Sequence, residues 1–112
     1  MEKVINKIRN KKMITEVKAK TRSMFSSQGN PVLHQYVIIL EDKDSRVTFF
    51  QSYDTIIARR EYVNGEVFIT LDKHFWSYSR TTGKYRNTFL GETKKETLKK
   101  IDSGEYELAE LN

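Results

Sequence analysis

TIIARREYVNGEVFITL (residues 55–71) carries the clearest structural signal in the chain. Both halves of this stretch are rich in β-branched and aromatic residues, which favour strands, and Asn64-Gly65 separates them. An Asn-Gly pair is typical of a type I′ turn, because that turn needs positive φ at both central residues. The stretch therefore predicts an antiparallel hairpin with strands at Thr55–Val63 and Glu66–Leu71.

Three further strands are predicted upstream of this hairpin. Val32–Glu41 and Arg46–Gln51 are rich in Val, Ile, Tyr and Phe, and a charged turn at residues 42–45 joins them. Residues 13–22 alternate in a way that favours a strand with one charged, solvent-facing side. Gly, Asn and Pro within residues 26–31 predict a loop between this strand and the next.

Helical periodicity begins after Asp72. Tyr78, Thr82, Tyr85 and Phe89 repeat at intervals of four, three and four residues, so they are expected to share one face of a helix. A glycine two residues after Phe89 is a natural helix stop.

A second helix is predicted to begin at Thr93. The Thr93 hydroxyl and the Glu96 carboxylate have the spacing of a capping box, in which each side chain accepts from the other residue's backbone N–H. Leu98 and Ile101 are expected to point inward, and Gly104 to end the helix. The residues expected to follow as an edge strand or a packed tail are Tyr106, Leu108 and Leu111.

These elements predict a single α+β domain over residues 1–112. It contains an antiparallel sheet of about four to five strands, two C-terminal helices and a short basic helix at residues 1–12.

Cysteine is absent, which excludes disulfide frameworks and cysteine-based zinc sites. No apolar run is long enough to span a membrane, and the N-terminus lacks the apolar core of a signal peptide. We therefore expect a soluble cytoplasmic protein without a membrane partner.

Charge is distributed unevenly along the chain. The net charge is +5, with about +6 in residues 1–22, −3 in residues 23–72 and +2 in residues 73–112. Basic ends around an acidic middle are compatible with a polyanionic partner, but also with an ordinary solvated surface.

The sequence predicts no catalytic centre, metal site or cofactor. The two histidines, His34 and His74, lie forty residues apart and lack the companion ligands of a metal site. Asp72 and His74 could form a dyad, but Asp72 is better explained as a cap on the turn after its strand. We therefore expect a protein that is not an enzyme.

The segment at residues 73–86 is the strongest binding candidate, because it interleaves aromatic, basic and hydroxyl side chains. Basic groups can contact phosphates while exposed aromatic rings stack on bases. The alternative is that the aromatic residues belong to the core and the cations only solvate the surface. The candidate binding residues of this segment and its flank are Trp76, Tyr78, Arg80, Lys84, Arg86 and Asn87.

A second candidate is the basic N-terminal arm, represented by Lys7, Lys11 and Lys12. Neutralising several phosphates would give salt-sensitive binding that is independent of sequence. No aromatic residue accompanies these charges, so the arm is equally consistent with a solubilising helix.

Ser52–Ala58 and the later segment from Trp76 to Tyr85 resemble small uncharacterised proteins of phages and plasmids of Gram-positive bacteria. Those proteins pair a Ser-Tyr-x-Thr-Ile-Ile-Ala strand with a Trp-x-Tyr-Ser-x-Thr-Thr-x-Lys-Tyr segment, and the resemblance covers residues 49–91. The chain departs from the pattern at Ser77, where those proteins have an acidic residue. The resemblance implies a mobile-element setting and transfers no catalytic residue.

In that setting the expected function is a non-enzymatic accessory protein that binds a host component. Inhibition of a defence nuclease, of the anti-CRISPR or anti-restriction type, belongs to this class. The expected partner is a host protein or a protein–nucleic-acid complex. The alternative is direct binding of nucleic acid through the segment at residues 80–86 and the N-terminal arm, and a third option is a structural or assembly protein of the element. The oligomeric state stays open.

Overall fold

The computed structural model describes residues 17–112, in which a six-stranded sheet carries two helices on one face. The strands are β1 (Lys18–Phe25), β2 (Pro31–Glu41), β3 (Ser45–Ser52), β4 (Thr55–Val63), β5 (Glu66–Asp72) and β6 (Glu107–Ala109). The helices are α1 (Arg80–Leu90) and α2 (Lys94–Asp102). The strands lie in sequence order, with β1 to β5 antiparallel and β6 parallel to β5. The α+β class and the two C-terminal helices are therefore confirmed. The predicted antiparallel sheet is confirmed for β1 to β5, and the parallel strand β6 makes the whole sheet mixed.

The hairpin formed by β4 and β5 agrees with its sequence signal. Asn64 and Gly65 have φ values of 52° and 79°, which is the left-handed backbone that a type I′ turn requires. Val63 pairs with Glu66 directly across the turn. Local turn chemistry therefore sets the register of these two strands.

The main core lies between the sheet and α1. Side chains alternate along each strand, so Val37 and Ile39 of β2 and Phe50 of β3 face the helices. Phe89 of α1 stacks on Phe50 with ring centroids 5.9 Å apart. The guanidinium of Arg60 lies 4.5 Å from the centroid of the Phe89 ring and donates to the Phe89 carbonyl at 2.6 Å. Apolar and polar contacts together hold α1 on the sheet.

Both helices begin at side-chain caps. Ser79 Oγ accepts from the Thr82 N–H at 3.1 Å at the start of α1, and Gly91 ends that helix with a φ of 71°. At the start of α2 the capping box is confirmed. Thr93 Oγ1 accepts from the Glu96 N–H at 3.2 Å, while Glu96 Oε1 accepts from the Thr93 N–H at 3.1 Å.

The described residues contain six strands, where the sequence predicted four to five. The additional strand is β6, which makes the edge-strand alternative for the tail the correct one. Because β6 has three residues, its alternation is too short to be recognised in the sequence. Its parallel pairing with β5 also depends on contacts remote in the chain.

Two residues that the sequence assigned to helix faces lie elsewhere. Tyr78 precedes α1, because Ser79 caps that helix. Leu98 of α2 is 41% exposed, whereas Thr97 beside it is fully buried and donates to Glu92. The side of α2 that carries Thr97 therefore faces the interior, where the Thr97 hydroxyl is hydrogen-bonded. The buried residues of α1 are Thr82, Tyr85, Arg86 and Phe89.

The strand predicted at residues 13–22 corresponds to β1, which extends three residues further, to Phe25. The first four residues of that prediction lie outside the described residues. The basic helix predicted at residues 1–12 lies outside them as well.

Candidate functional site

A basic groove of about 770 Å³ runs along the start of α1 and reaches the start of α2. Four basic residues line it, Arg80, Lys84, Arg86 and Lys94, and none of the described lining residues is acidic. The other lining residues are Ser77, Tyr78, Ser79, Gly83 and Asn87. Excess positive charge in a concave surface concentrates anions, because low-dielectric walls focus the field.

The start of α1 adds to this positive field. The first backbone N–H groups of a helix lack partners within the helix and carry partial positive charge. No acidic residue in the first turn of α1 opposes that charge. Arg80 and Lys84 lie one turn apart on this helix, and both are exposed to solvent. Their charged ends are therefore available to a ligand.

Arg86 has a different environment, since only 1% of its surface is exposed. Its Nη1 donates to the Trp76 carbonyl at 2.6 Å, and its Nη2 donates to Asn87 Oδ1 at 2.9 Å. Its Nε has no hydrogen-bond partner among the described residues. Burial lowers the pKa of Arg86, and the charge of Glu92 opposes that effect. Arg86 therefore lies buried in the inner wall of the groove, where it adds positive charge in a poorly solvated position.

Trp76 forms part of this support. The Arg86 guanidinium lies 5.2 Å from the centroid of the Trp76 ring, and Lys94 Nζ lies 5.9 Å from it. Both distances suit cation–π contacts. The half-buried tryptophan therefore links the two helices through their cations.

Two aromatic side chains near the groove are more exposed to solvent than Trp76. Phe75 is 38% and Tyr78 48% exposed, and Tyr78 lines the groove. Their ring centroids lie 5.5 Å apart with an interplanar angle of 80°, an edge-to-face arrangement. These two rings form what we call the aromatic pair.

Asp72 positions the loop that carries the aromatic pair. Its Oδ2 accepts from the backbone N–H groups of His74 and Phe75 at 3.0 and 2.9 Å, so the predicted cap on the turn is confirmed. Its Oδ1 accepts from the Leu111 N–H at 2.8 Å and from Asn112 Nδ2 at 3.1 Å. We call this set of contacts the Asp72 clasp. The carboxylate therefore ties the end of β5 to both the loop and the C-terminal residues.

No Asp72–His74 dyad forms, because the carboxylate binds the backbone of His74. The His74 ring instead lies 3.2 Å from the Glu110 carboxylate, measured from Nε2 to Oε1. Residues 17–112 contain no group of three or more side chains that could hold a metal ion. Within the same range, no helix is long and apolar enough to cross a bilayer.

Glu92 organises the other side of the site, between α1 and α2. Its Oε1 accepts from Lys100 Nζ at 2.8 Å and from the Tyr106 hydroxyl at 2.7 Å, and its Oε2 accepts from Thr97 Oγ1. Burial opposes ionisation, but these donors hold the pKa of Glu92 below its ordinary value. The cluster fixes α2, and with it Lys94, relative to the end of α1.

The structure brings together the residues that the sequence proposed between positions 76 and 87. Arg80, Lys84, Arg86 and Asn87 line one groove with Tyr78, and Trp76 packs behind Arg86. Arg86 was grouped with the surface cations, yet it is buried. Tyr85 and Phe89 belong to the core. The predicted arm residues Lys7, Lys11 and Lys12 lie outside the described residues.

Sequence reasoning missed Lys94 as a member of the groove. The capping box placed it at the first position of α2, but the approach of that position to α1 depends on tertiary packing. Phe75 lies within the segment at residues 73–86 but is not among the binding residues that the sequence predicts.

Residues 8–105 match the model of one protein family, described as a family of unknown function (DUF8033). No curated protein and no solved structure matches the chain. The family match spans most of the sheet, both helices and all residues of the basic groove. The chain therefore belongs to DUF8033, a family of unknown function.

Proposed function

We propose that this protein binds nucleic acid, without catalysis, by placing the phosphate backbone in the basic groove. The observation that carries the proposal is the convergence of four basic residues in a groove that no described acidic residue lines. Phosphate contacts from arginine, lysine, hydroxyl groups and helix N-termini supply most of the affinity in such complexes. All of these donor types are present here.

The exposed cations are the groups that would contact phosphates. Arg80 and Lys84 project from successive turns of α1, and Lys94 approaches from the start of α2. Arg86 supports the groove by adding charge behind it, where solvent screens that charge less. The hydroxyl groups of Ser77 and Ser79 lie in the same lining.

We expect the variants Arg80→Ala and Lys84→Ala each to weaken binding and to reduce its salt dependence. A phosphate contact gives a slope of about −0.9 in a plot of log affinity against log salt, so each lost contact flattens the slope by about one unit. Fluorescence anisotropy with labelled oligonucleotides at several salt concentrations measures both effects. Lys43→Ala is the matched control, because Lys43 lies in the β2–β3 turn outside the groove.

Two results would contradict this proposal. One is an affinity for single- and double-stranded DNA and RNA weaker than about 100 μM at 50 mM salt, since non-specific binders reach about 10⁻⁴–10⁻⁶ M at physiological salt. The other is an equal effect of Lys43→Ala and the two groove variants.

A second candidate is binding to a host protein, including the defence-nuclease inhibition expected for a mobile-element setting. A groove of about 800 Å³ on the sheet face away from the helices supports it. Apolar residues of β2 and β3 line this groove, namely Ile38, Leu40 and Phe49. Acidic residues near the C-terminus also line it, namely Glu105, Glu107 and Glu110, and the cation in the lining, Arg59, is paired with Glu61 at 2.9 Å. This chemistry suits a segment that is both basic and apolar.

For this second candidate we expect a complex from host lysate that survives nuclease treatment. The charge reversals Glu107→Lys and Glu105→Lys should abolish its capture, whereas Arg80→Ala and Lys84→Ala should leave it intact. Loss of the complex on nuclease treatment, or insensitivity to the charge reversals, would exclude this groove as the protein-binding surface.

A further inference from the structure

We infer that the nucleic acid bound is single-stranded, with the aromatic pair of Phe75 and Tyr78 stacking on its bases. This inference rests on the proposed function of the basic groove. It adds the class of nucleic acid and assigns a binding role to Phe75.

The aromatic pair differs from the other rings near the site. Tyr85 and Phe89 are buried in the core, and Trp76 has cations near its ring. Phe75 and Tyr78 instead expose 38% and 48% of their surface. The pair therefore presents two adjacent rings to solvent beside the groove.

The position of the pair is fixed by the fold. Phe75 lies three residues after the end of β5, and the Asp72 carboxylate accepts from its backbone N–H at 2.9 Å. The Tyr78 N–H donates back to the Phe75 carbonyl at 3.4 Å. A partly ordered loop would lose entropy on binding, whereas this hydrogen-bonded turn presents the rings already oriented.

Cations beside exposed rings favour a single strand over a duplex. The bases of a duplex stack on one another inside the helix, so they are closed to protein rings without unstacking. The bases of a single strand can leave the stack and lie on aromatic side chains while the phosphates follow a basic groove. Because every base has a π face, such binding tolerates many sequences.

The test compares four labelled ligands of about twelve nucleotides, a site size within the range of single-strand binders. They are oligo-dT, oligo-U, an abasic strand of equal length and a duplex. Anisotropy gives the affinities. Trp76, the only tryptophan in the chain, gives an independent fluorescence signal from beside the groove. We expect oligo-dT or oligo-U to bind at least tenfold more tightly than the abasic strand and the duplex.

Leucine variants isolate the contribution of the rings. Phe75→Leu and Tyr78→Leu keep apolar bulk and remove the aromatic face, so each should weaken oligo-dT or oligo-U binding about five- to tenfold, at the lower end of measured stacking contributions. Neither should change abasic binding, because the phosphate contacts remain. Phe25→Leu is the matched control, since Phe25 is an exposed aromatic residue of β1 outside the groove.

The outcomes separate this inference from the proposed function. If the abasic strand or the duplex binds as tightly as the better of oligo-dT and oligo-U, stacking on the bases of a single strand is excluded. The proposed binding of phosphates in the basic groove remains in that case. Unchanged binding by both leucine variants would also overturn the inference. Failure of all four ligands to bind would refute the proposed function itself.

Discussion

Replacing Asp72 with alanine is expected to lower the free energy of unfolding by about 3 kcal/mol, because hydrogen bonds to a charged group contribute about 1.5–3 kcal/mol each. The change removes the acceptor of four hydrogen bonds from His74, Phe75, Leu111 and Asn112. Water can replace some of these contacts, so the total is smaller than their sum. Urea denaturation of the two proteins measures the difference.

The Asp72→Ala variant should also weaken nucleic-acid binding, because the clasp orients the loop that carries the aromatic pair. Asp54→Ala is a matched control, since Asp54 is an exposed residue of the β3–β4 turn that accepts only from the Thr55 hydroxyl among its described contacts. We expect that control to change stability by less than about 0.5 kcal/mol. An equally small effect at Asp72 would contradict a structural role for the clasp.

Glu92→Ala is the second variant with a large expected effect, again about 3 kcal/mol of destabilisation, since removing one partner from a buried charged cluster leaves the others unpaired. The side chain of Glu92 is 4% exposed, and Lys100, Thr97 and Tyr106 all donate to it. Without the carboxylate, the Tyr106 hydroxyl stays buried with no acceptor. Glu105→Ala, on an exposed residue, is the control for urea denaturation.

The Glu92 cluster also predicts how stability changes at the two ends of the pH range. In the folded protein the pKa of Glu92 lies below its ordinary value. The contribution of Glu92 to the free energy of unfolding is therefore present above its pKa in the unfolded chain, and it is lost as pH falls through its pKa in the folded protein. Burial and the Glu92 carboxylate raise the pKa of Tyr106 to about 12. The contribution of Tyr106 to the free energy of unfolding is present below its pKa in the unfolded chain, near 10. It is lost as pH rises toward its pKa in the folded protein.

Glu92→Gln should therefore flatten both ends of the stability profile, measured by urea denaturation from acid to alkaline pH. Identical profiles for the variant and the unchanged protein would contradict the assigned role of Glu92. If Glu92→Gln flattens the profile at the acid end alone, the loss of stability at alkaline pH belongs to a group other than Tyr106 beside Glu92.

Much of the fold could be predicted because its signals are local. The turn at Asn64-Gly65 and the capping box from Thr93 to Glu96 each depend on a few consecutive residues. Runs rich in β-branched and aromatic residues between turn signals located β2 to β5 for the same reason. In contrast, β6 and the contacts of Asp72 with Leu111 and Asn112 join residues about forty positions apart, and no local pattern encodes such a pairing.

The candidate site was predictable in composition and less so in geometry. Interleaved aromatic and basic residues marked the segment from Trp76 to Asn87, and the structure gathers many of them around one groove. Burial separated residues of the same chemical type, placing Arg86 behind the groove and Arg80 on its surface. A sequence reports that a cation is present, but the packing of α1 and Trp76 decides which cation meets solvent.

The strand order has a consequence for local unfolding. Short connections join each antiparallel neighbour, so forming β1 to β5 closes only small loops. Pairing β6 with β5 must instead close the long segment that contains both helices, and loop-closure entropy grows with that length. Against that cost β6 offers three residue pairs, and the hydrogen bonds from Leu111 and Asn112 to Asp72 add to them. Opening of this edge would break the strand pairs and these hydrogen bonds together, so amide exchange in β6 and at Leu111 is expected to report a single opening event.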